Sequence, residues 1–501
     1  MAEPFGDRVS LVVFGASGDL AKKKTFPALF GLFREGQLPS TVQIVGYARS
    51  NLSDEEFKDR IRPNLKLRNA DKSKIDEFLS LCSYMHGPYD EDSGYVELLD
   101  KCVAYEKKHN VAVPERLFYL ALPPSAFATV CRFLKKHLNS ESGLKTRVIV
   151  EKPFGRDLQT FRELQENLSP LFTEDELYRI DHYLGKEMVK NLLVLRFGNE
   201  FLGAAWNKNH IKSIQISFKE AFGTQGRGGY FDTIGIIRDV MQNHMLQVFT
   251  LLTMERPVSF DPEAVRDEKV KVLKAVEPID PKDVLLGQYS ASEDGKEPGY
   301  LDDDTVNKDS KCFTYAAFAL HIHNERWEGV PIVLRAGKAL DESKVEIRIQ
   351  FKPVAKGMFK EIQRNELVIR IQPDEAIYMK INSKIPGIST ETSLTDLDLT
   401  YSKRYSDDFW IPEAYEALIR DCYLGNHSNF VRDDELDISW KLFTPFLEAL
   451  EAADGPKPEL YSYGSKGPKG LREFLASHGY VFSDEGTYQW PLTTPNVKGK
   501  I

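Results

Sequence analysis

The stretch VSLVVFGASGDLAKKK, residues 9–24, joins an apolar run to a glycine-containing turn and then to a lysine-rich segment. Val9–Phe14 has the length and the β-branched content of a buried strand. Gly15 and Gly18 allow a tight turn, and Ala21 is small enough for a following helix to pack against that strand. Backbone N–H groups at a helix start bind pyrophosphate. The stretch predicts the first β-α-β unit of a nucleotide-binding sheet, with a bare structural turn as the alternative.

Strands and helices continue to alternate through the first third of the chain. Ser53 and Glu56 have the spacing of a capping box, which predicts a helix start. Further strands are predicted at Thr41–Tyr47, Arg116–Leu122 and Arg147–Val150. Such alternation is typical of an α/β fold with a doubly wound parallel sheet.

The pattern changes after about residue 200. In VEIRIQF, residues 345–351, apolar residues alternate with polar ones, which predicts one packed face, one polar face and antiparallel pairing. We therefore predict a Rossmann-like domain over residues 1–178 and a larger α+β domain, with a mainly antiparallel sheet, over residues 179–501. Other strands of the second domain are predicted at Ile211–Phe218, Phe313–Ile322, Leu367–Ile371 and Ile377–Ile381, with a long polar connection over residues 287–311.

Composition excludes several classes of protein. The chain has 501 residues, 42% hydrophobic and 28% charged, as in ordinary globular proteins of two or three domains. A net charge of −9 disfavours non-specific binding to nucleic acid or anionic membranes. The five cysteines lie far apart without C-x-x-C spacing, which predicts reduced thiols. Because neither an apolar signal region nor 18 consecutive apolar residues is found, a cytoplasmic location is expected.

The end of the second strand bears on the choice of nucleotide. Sites for NAD carry an acidic residue there, which binds the ribose 2′-hydroxyl. Here the strand ends in GYARS, so that Arg49 occupies this region, and Lys22 to Lys24 lie on the adjacent turn. Arginine pairs with a phosphate in a bidentate fork, so the sequence favours NADP over NAD. The alternative for the lysines is a solvated helix face.

The motif EKPFG follows a predicted strand. EKPFG, residues 151–155, places Lys152 at the carboxyl end of a parallel strand, where ligands bind in open α/β sheets. A cis bond at Pro153 and a plain strand-ending proline are both compatible with this motif.

RIDHYLGKE, residues 179–187, is interpreted as a loop that enters a helix beginning near Lys186. Free N–H groups at the helix start, together with His182, Tyr183 and Lys186, suit a phosphate dianion. Asp181 is unsuited to binding phosphate and suits holding a histidine in one tautomer.

That histidine is predicted to be His244, in the helical segment 235–252. A histidine on an apolar helix face is commonly a core residue, which is the alternative here. Asp239 on the same helix and Glu220 in the preceding strand instead indicate a polar site. A neutral imidazole can take a proton from a sugar hydroxyl, and a carboxylate behind it stabilises the imidazolium.

With GASGDLAKKK, EKPFG, RIDHYLGKE and RDVMQNH in this order, the chain resembles the glucose-6-phosphate dehydrogenase family from residue 9 to about residue 490. The resemblance implies NADP-dependent oxidation of β-D-glucose 6-phosphate at C1 to 6-phosphoglucono-1,5-lactone, the entry to the pentose phosphate pathway. It implies that His244 is the base and Asp181 its orienting partner. The implied substrate-binding residues are Lys152, His182, Tyr183, Lys186, Glu220, Asp239, Lys338 and Gln372. The implied cofactor-binding residues are Gly15, Ala16, Ser17, Gly18, Asp19, Leu20, Ala21, Lys22, Arg49 and Lys152.

Eukaryotic members of the family bind a second, structural NADP on the large sheet. The matching residues are Arg335, Lys344, Arg348, Arg370, Tyr378, Lys380, Asp398 and Trp490. Ser343 stands where many relatives carry a basic residue, and Lys344 is the predicted replacement. The alternative is a solvated or dimer-facing sheet, and a homodimer or homotetramer is expected.

Three other functions compete with this one. A related sugar or polyol oxidoreductase would share the Lys-Pro motif but lack a paired His182 and Lys186 anion site. A catalytically silent NADP-sensing regulator would need neither His244 nor Asp181. A metal enzyme is suggested by His321-x-His323, although no third ligand with suitable spacing accompanies the pair.

Overall fold

The protein, described here by a computed structural model, is divided into two compact units that each gather several segments of the chain. The first unit comprises Met1–Lys190, Met254–Leu273 and Ile411–Thr444, and the second comprises Asn191–Thr253, Lys274–Trp410 and Pro445–Ile501. A domain boundary at residue 178 stays a prediction. The structure describes residues 3–67, 72–139, 143–355, 357–359, 362–388, 390–405 and 409–482.

The first unit contains a six-stranded sheet with the order β3-β2-β1-β4-β5-β6, in which every neighbouring pair is parallel. This arrangement confirms the predicted doubly wound parallel sheet. The strands at its two edges, β3 and β6, were not predicted. The strands are β1 (Arg8–Phe14), β2 (Thr41–Ala48), β3 (Cys82–His86), β4 (Glu115–Leu120), β5 (Lys145–Val150) and β6 (Leu177–Arg179).

Local signals explain where the helices of this unit begin and end. The Ser53 hydroxyl accepts from the Glu56 N–H at 3.2 Å and the Glu56 carboxylate accepts from the Ser53 N–H at 2.8 Å, which confirms the capping box. The helix after RIDHYLGK begins at Glu187, one residue after the predicted start. In chain order, the α-helices of both units, among the described residues, are Phe26–Arg34, Asp54–Ile61, Ser73–Leu81, Asp92–Lys108, Phe127–Phe133, Leu158–Leu168, Glu187–Phe197, Glu200–Ala205, Gly228–Asp232, Leu246–Thr253, Pro262–Lys274, Tyr401–Arg404, Ala414–Leu424, Asp433–Glu451 and Leu471–Ser477.

Shorter helical segments complete the description. Segments of π-helix run over Ala21–Thr25, Leu134–Leu138 and Ile237–Met245. Segments of 3₁₀-helix run over Arg62–Asn64, Pro124–Ala126 and Tyr300–Asp302. No helix in the described part of the chain is long and apolar enough to cross a membrane.

The second unit contains a nine-stranded sheet with the order β14-β13-β12-β11-β7-β10-β9-β8-β15. Most neighbouring pairs are antiparallel, as predicted, but β7 with β10 and β8 with β15 are parallel. The strands are β7 (Ile211–Lys219), β8 (Val284–Ser290), β9 (Tyr315–Leu320), β10 (Ile332–Gly337), β11 (Lys344–Phe351), β12 (Glu366–Gln372), β13 (Ala376–Lys384), β14 (Thr392–Thr400) and β15 (Glu459–Ser462).

Two predictions about the second sheet need correction. The predicted polar connection begins inside β8, and Tyr300 within it is buried, with its hydroxyl donating to Asp232 at 2.8 Å. The predicted polar face of β11 is covered, since Glu346 and Gln350 are both buried. The side chain of Gln350 bonds both the N–H and the C=O of Val481, so the chain segment after the last helix lies over this face.

Candidate active site

The glycine turn after β1 requires a residue without a side chain. Gly15 has φ of +77°, and a Cβ added there would lie 2.2 Å from the carbonyl oxygen of Ala121. The Gly15 N–H donates to the Tyr47 carbonyl at 2.9 Å, which ties the turn to the end of β2. The Ser17 and Ser50 hydroxyls lie 3.0 Å apart. The turn therefore lies at the carboxyl edge of the sheet, and the absence of side chains on its glycines lets a pyrophosphate approach the backbone closely.

The cations beside this turn separate into two kinds. Lys22 and Lys23 each lie 3.0 Å from a carboxylate oxygen of Asp19, and their hydrogen bonds and charges lower the pKa of Asp19. Arg49 is exposed at the end of β2, with its guanidinium 5.4 Å from the centre of the Tyr89 ring. Arg49 makes no ion pair with a carboxylate among the described residues, and its binding of a 2′-phosphate stays a prediction.

The EKPFG segment follows β5 and contains a cis peptide bond between Lys152 and Pro153, one of the two predicted alternatives. The buried Glu151 carboxylate accepts a hydrogen bond from the Tyr119 hydroxyl at 2.5 Å. Burial raises the pKa of Glu151 to about 7, against the opposing effects of the Tyr119 hydrogen bond and the charge of Lys152. Tyr415 also hydrogen-bonds this carboxylate. Sequence reasoning missed both tyrosines, because the contacts join residues far apart in the chain.

The RIDHYLGKE loop is held by its own backbone. The carboxylate of Asp181, itself buried, accepts from the Tyr183 N–H at 2.9 Å, and the Lys186 N–H donates to the Tyr183 carbonyl at 3.1 Å. The Lys186 ammonium lies 5.1 Å from the Tyr183 ring centre, and the His182 ring centre also lies 5.1 Å from it. The structure thus brings together the three residues predicted to bind phosphate, while their role in binding stays a prediction.

In the second unit, three predicted substrate-binding residues form one ionic cluster. The Lys338 ammonium lies 2.6 Å from a Glu220 carboxylate oxygen and 3.4 Å from one of Asp239. Burial lowers the pKa of Lys338, but the charges of Asp239 and Glu220 outweigh it and leave the pKa raised. The ammonium also lies 5.1 Å from the Phe231 ring centre and 5.9 Å from that of Phe222, a cation–π arrangement that sequence reasoning missed.

His244 lies on the π-helix Ile237–Met245 and is 2% exposed. Hydrogen bonds in a π-helix join residues five apart, which brings Asp239 closer to the face of His244 than an α-helix would. The backbone N–H of His244 donates to the Asn243 side-chain oxygen at 2.8 Å. Asp181 belongs to the first unit and His244 to the second, so their predicted pairing stays a prediction.

Gln372 ends β12 and precedes a second cis peptide bond, at Pro373. Asp374 then takes a φ of +55°, so the chain turns sharply immediately after the predicted substrate-binding amide. A Gln-Pro pair in a sequence does not distinguish a cis peptide bond from an ordinary trans strand end, so the cis bond at Pro373 was not predicted.

The residues predicted for a second nucleotide lie on neighbouring strands of the large sheet. Arg348 pairs with Glu346 at 2.7 Å and with Glu366 at 3.0 Å, and Lys380 pairs with Glu366 at 3.1 Å. Burial alone would raise the pKa of Glu346, but Arg348 and Lys344 lower it to about 2. Arg335 lies on β10, Lys344 on β11, Arg370 on β12, Tyr378 on β13 and Asp398 on β14, whereas Trp490 lies outside the described residues.

Lys344 is predicted to replace the basic residue that many relatives carry at the position of Ser343, and the structure supports this only in part. The Ser343 hydroxyl accepts from the Ala221 N–H at 2.9 Å, so it has a structural partner. The Lys344 ammonium lies 2.7 Å from Glu342 and 3.7 Å from Glu346. Lys344 therefore carries a charge at this edge of the cluster, and its contact with a ligand stays a prediction.

The histidine pair proposed for a metal enzyme lies just after the end of β9. His323 is exposed, with 3.9 Å between its ring and Glu277. Neither His321 nor His323 joins a group of three or more close metal-ligating side chains among the described residues.

Comparisons with known proteins agree along the whole chain. Residues 12–191 match the model described as "Glucose-6-phosphate dehydrogenase, NAD binding domain", and residues 193–490 match that of the "Glucose-6-phosphate dehydrogenase, C-terminal domain". The chain is 76% identical to glucose-6-phosphate 1-dehydrogenase of Cyberlindnera jadinii, over 99% of this chain and 100% of the relative. It is 66% identical to the enzyme of the same name from Saccharomyces cerevisiae, over 98% and 97% of the two chains.

Solved structures give the same result. A glucose-6-phosphate dehydrogenase in complex with its substrate glucose 6-phosphate superposes with a TM-score of 0.94 at 66% identity, covering 96% of this chain and all of that one. Glucose-6-phosphate 1-dehydrogenase of Mycobacterium avium gives a TM-score of 0.79 at 33% identity, over 93% and 97% of the two chains. The chain therefore belongs to the glucose-6-phosphate dehydrogenase family, and its N-terminal domain is of the type that binds a pyridine nucleotide.

Proposed function

We propose that this protein oxidises D-glucose 6-phosphate at C1 to 6-phosphoglucono-1,5-lactone with NADP as the hydride acceptor. The observation that carries the proposal is the likeness, over almost the whole chain, to a family member solved with glucose 6-phosphate. The preformed loop of His182, Tyr183 and Lys186 supports it, because this loop offers the cations and N–H groups that a sugar phosphate needs.

Each group of residues has a chemical task in this reaction. His244 is proposed to take the O1 proton of the sugar as the C1 hydrogen leaves with its electron pair. Asp181 is proposed to hold the His244 imidazole in the productive tautomer and to stabilise its charged form. The Lys338 cluster is proposed to bind sugar hydroxyls. When bound, the oxidised nicotinamide supplies the site that accepts the hydride.

The test of the proposed reaction follows nicotinamide absorbance with purified protein. We expect rapid reduction of NADP with glucose 6-phosphate and far slower reduction with unphosphorylated glucose. Equal use of glucose and glucose 6-phosphate would contradict the phosphate site. Binding of NADP without turnover of any sugar phosphate would instead favour the regulator described above.

Arg49 provides a test of the nucleotide preference. Arg49→Gln removes one charge-assisted phosphate contact, so kcat/KM for NADP should fall by about 10- to 150-fold, which corresponds to about 1.5–3 kcal/mol. The value for NAD, which has no 2′-phosphate, should change by less than about threefold. Steady-state kinetics with both nucleotides measure the effect, with the exposed Arg132→Gln in the same unit as the control. Equal losses for NADP and NAD would mean that Arg49 does not bind the 2′-phosphate.

Lys186 provides a test of the phosphate-binding loop. Lys186→Ala should raise KM for glucose 6-phosphate by about 10- to 150-fold, because one charged hydrogen bond worth about 1.5–3 kcal/mol is lost. The rate with saturating sugar phosphate should change far less. Lys190→Ala is the matched control, since Lys190 lies in the first turn of the helix that follows Lys186 and pairs with Glu187 at 3.1 Å. A lowered kcat with an unchanged KM would contradict the assignment.

A second, structural NADP is also proposed, on the cationic face of β11 to β13. Five basic residues of the predicted set, Arg335, Lys344, Arg348, Arg370 and Lys380, lie on β10 to β13, and three of them pair with Glu342, Glu346 or Glu366. A concentration of basic side chains on neighbouring strands supports binding of a phosphorylated ligand. Calorimetric titration should give two NADP per chain. A homodimer or homotetramer and a cytoplasmic location complete the proposal.

A further inference from the structure

A cavity of about 210 Å³ lies in the first unit, beside the helix Phe26–Arg34 and the start of the helix Ala414–Leu424. Its lining is rich in positive charge although the whole chain has a net charge of −9. Four basic residues and two acidic residues line it, and the basic ones are Lys23, Lys24, Arg34 and Lys66. None of the last three belongs to the residues assigned above to either NADP or the sugar.

Arg34 is the buried member of this group. Its side chain is 5% exposed, its Nε donates to Glu35 at 2.7 Å and its Nη1 donates to the Lys66 carbonyl at 2.6 Å. Its Nη2 is buried and has no hydrogen-bond partner among the described residues. A buried N–H group without an acceptor is costly, and an anionic oxygen in the cavity would satisfy it.

Two of the basic side chains have no carboxylate partner in the described structure. Lys24 and Lys66 are exposed and make no ion pair within the described ranges of the chain. The Glu416 carboxylate accepts from the Glu413 N–H at 2.9 Å and so caps the start of its own helix. The cavity therefore combines two uncommitted ammonium groups with a guanidinium that lacks one acceptor, which is the donor set that a phosphorylated anion needs.

One lining residue connects the cavity to the substrate loop. The Tyr415 ring is stacked against the His182 ring, with 6.0 Å between centres and 10° between planes. Its hydroxyl hydrogen-bonds Glu151, the residue before Lys152. Tyr415 thus contacts His182, a predicted phosphate ligand, directly. It also bonds Glu151, whose neighbour in the chain is Lys152, a second predicted substrate-binding residue.

We infer that this cavity is a regulatory site for a small multivalent phosphate anion, and that Tyr415 couples its occupancy to binding of the sugar phosphate. The coupling rests on the proposed function of His182, whereas the binding does not. Binding at the cavity is proposed to be distinct from binding at the glycine turn, because none of the residues assigned to the nucleotide lines the cavity.

Binding is tested by calorimetric titration of the full chain with inorganic pyrophosphate, first with saturating NADP and then with saturating glucose 6-phosphate. A separate site predicts binding in both titrations. The Lys24→Gln/Lys66→Gln variant should raise the Kd at least tenfold, while Lys107→Gln/Lys108→Gln, two exposed lysines of the same unit, should change it less than twofold. Loss of binding in either saturated sample, or an unchanged Kd in the Lys24 and Lys66 variant, would overturn the site.

Coupling is tested by measuring KM for glucose 6-phosphate with and without saturating pyrophosphate. We expect at least a threefold change in KM for the natural protein and none for the Lys24 and Lys66 variant. Tyr415→Leu should still bind pyrophosphate, but its KM should no longer respond to pyrophosphate. Tyr415→Phe, which keeps the stacked ring and loses the hydroxyl, should bind pyrophosphate and keep the response of KM, and loss of the response in this variant would contradict coupling through the ring. A KM that does not respond in the natural protein would overturn the coupling. Because calorimetry needs no turnover, failure of the proposed reaction would leave the binding result intact.

Discussion

Replacing His244 by asparagine should lower kcat by about 10²–10⁴-fold, the range typical of general-base assistance. Asparagine keeps a polar side chain of similar size in this buried position but cannot take the O1 proton. The sugar phosphate should still bind, because the proposed phosphate contacts come from His182, Tyr183 and Lys186. The variant should therefore lose rate and keep affinity.

The measurement combines steady-state kinetics with calorimetric binding of glucose 6-phosphate in the absence of nucleotide. His323→Asn is the matched control, because His323 is exposed and its ring lies 3.9 Å from Glu277. Circular dichroism checks that both variants are folded. A His244 variant with an unchanged kcat would remove this residue from the mechanism, and a loss confined to affinity would assign it to binding instead.

The parallel sheet was predictable because several independent signals agree at the same positions. Val9–Phe14 is apolar on every residue except one, as expected for a strand buried on both faces, and a glycine that needs positive φ follows it directly. Further along the chain, the capping box of Ser53 and Glu56 predicts the first residue of the helix Asp54–Ile61 correctly. Agreement between periodicity, turn chemistry and capping leaves few alternative folds.

The second sheet was less predictable, because the strands that were not predicted from the sequence lack such signals. In β8, residues Leu285–Tyr289 are all buried, so no alternation of polar and apolar residues marks it. β10 is a short buried run that pairs in parallel with β7, and short apolar runs do not distinguish strand from helix. Burial on both faces removes the period on which sequence reasoning depends.

The candidate site shows the same division between local and distant contacts. The loop of Asp181, His182, Tyr183 and Lys186 was predictable, since its residues are neighbours in the sequence. The position of Phe231 near Lys338 and the bond from Tyr415 to Glu151 were not, because they join segments separated by more than a hundred residues. In both contacts, nothing in the sequence of one segment indicates which distant segment it meets.

The largest expected effect on stability comes from a buried ion pair that the sequence does not reveal. The Lys269 ammonium lies 3.0 Å from one Glu435 carboxylate oxygen and 3.1 Å from the other, and the two side chains are 0% and 1% exposed. Lys269→Met would leave the Glu435 charge buried without this partner. Such losses destabilise proteins by about 3–5 kcal/mol, so the free energy of unfolding should fall by this amount in urea titrations.

Substituting Glu435 as well as Lys269 distinguishes the destabilisation caused by an unpaired buried charge from the stabilisation that the ion pair itself provides. Because replacing both members of a buried pair by neutral groups is often near neutral, Lys269→Met/Glu435→Gln should recover much of the stability that Lys269→Met loses. Lys271→Met on the same helix is the control, since Lys271 is 64% exposed and should change the free energy of unfolding by less than about 0.5 kcal/mol. If the double variant were less stable than Lys269→Met, contacts of the Glu435 carboxylate other than the one with Lys269 would have to stabilise the folded protein. If Lys269→Met matched the control, the pair would contribute nothing, and the burial of both charges would need another explanation.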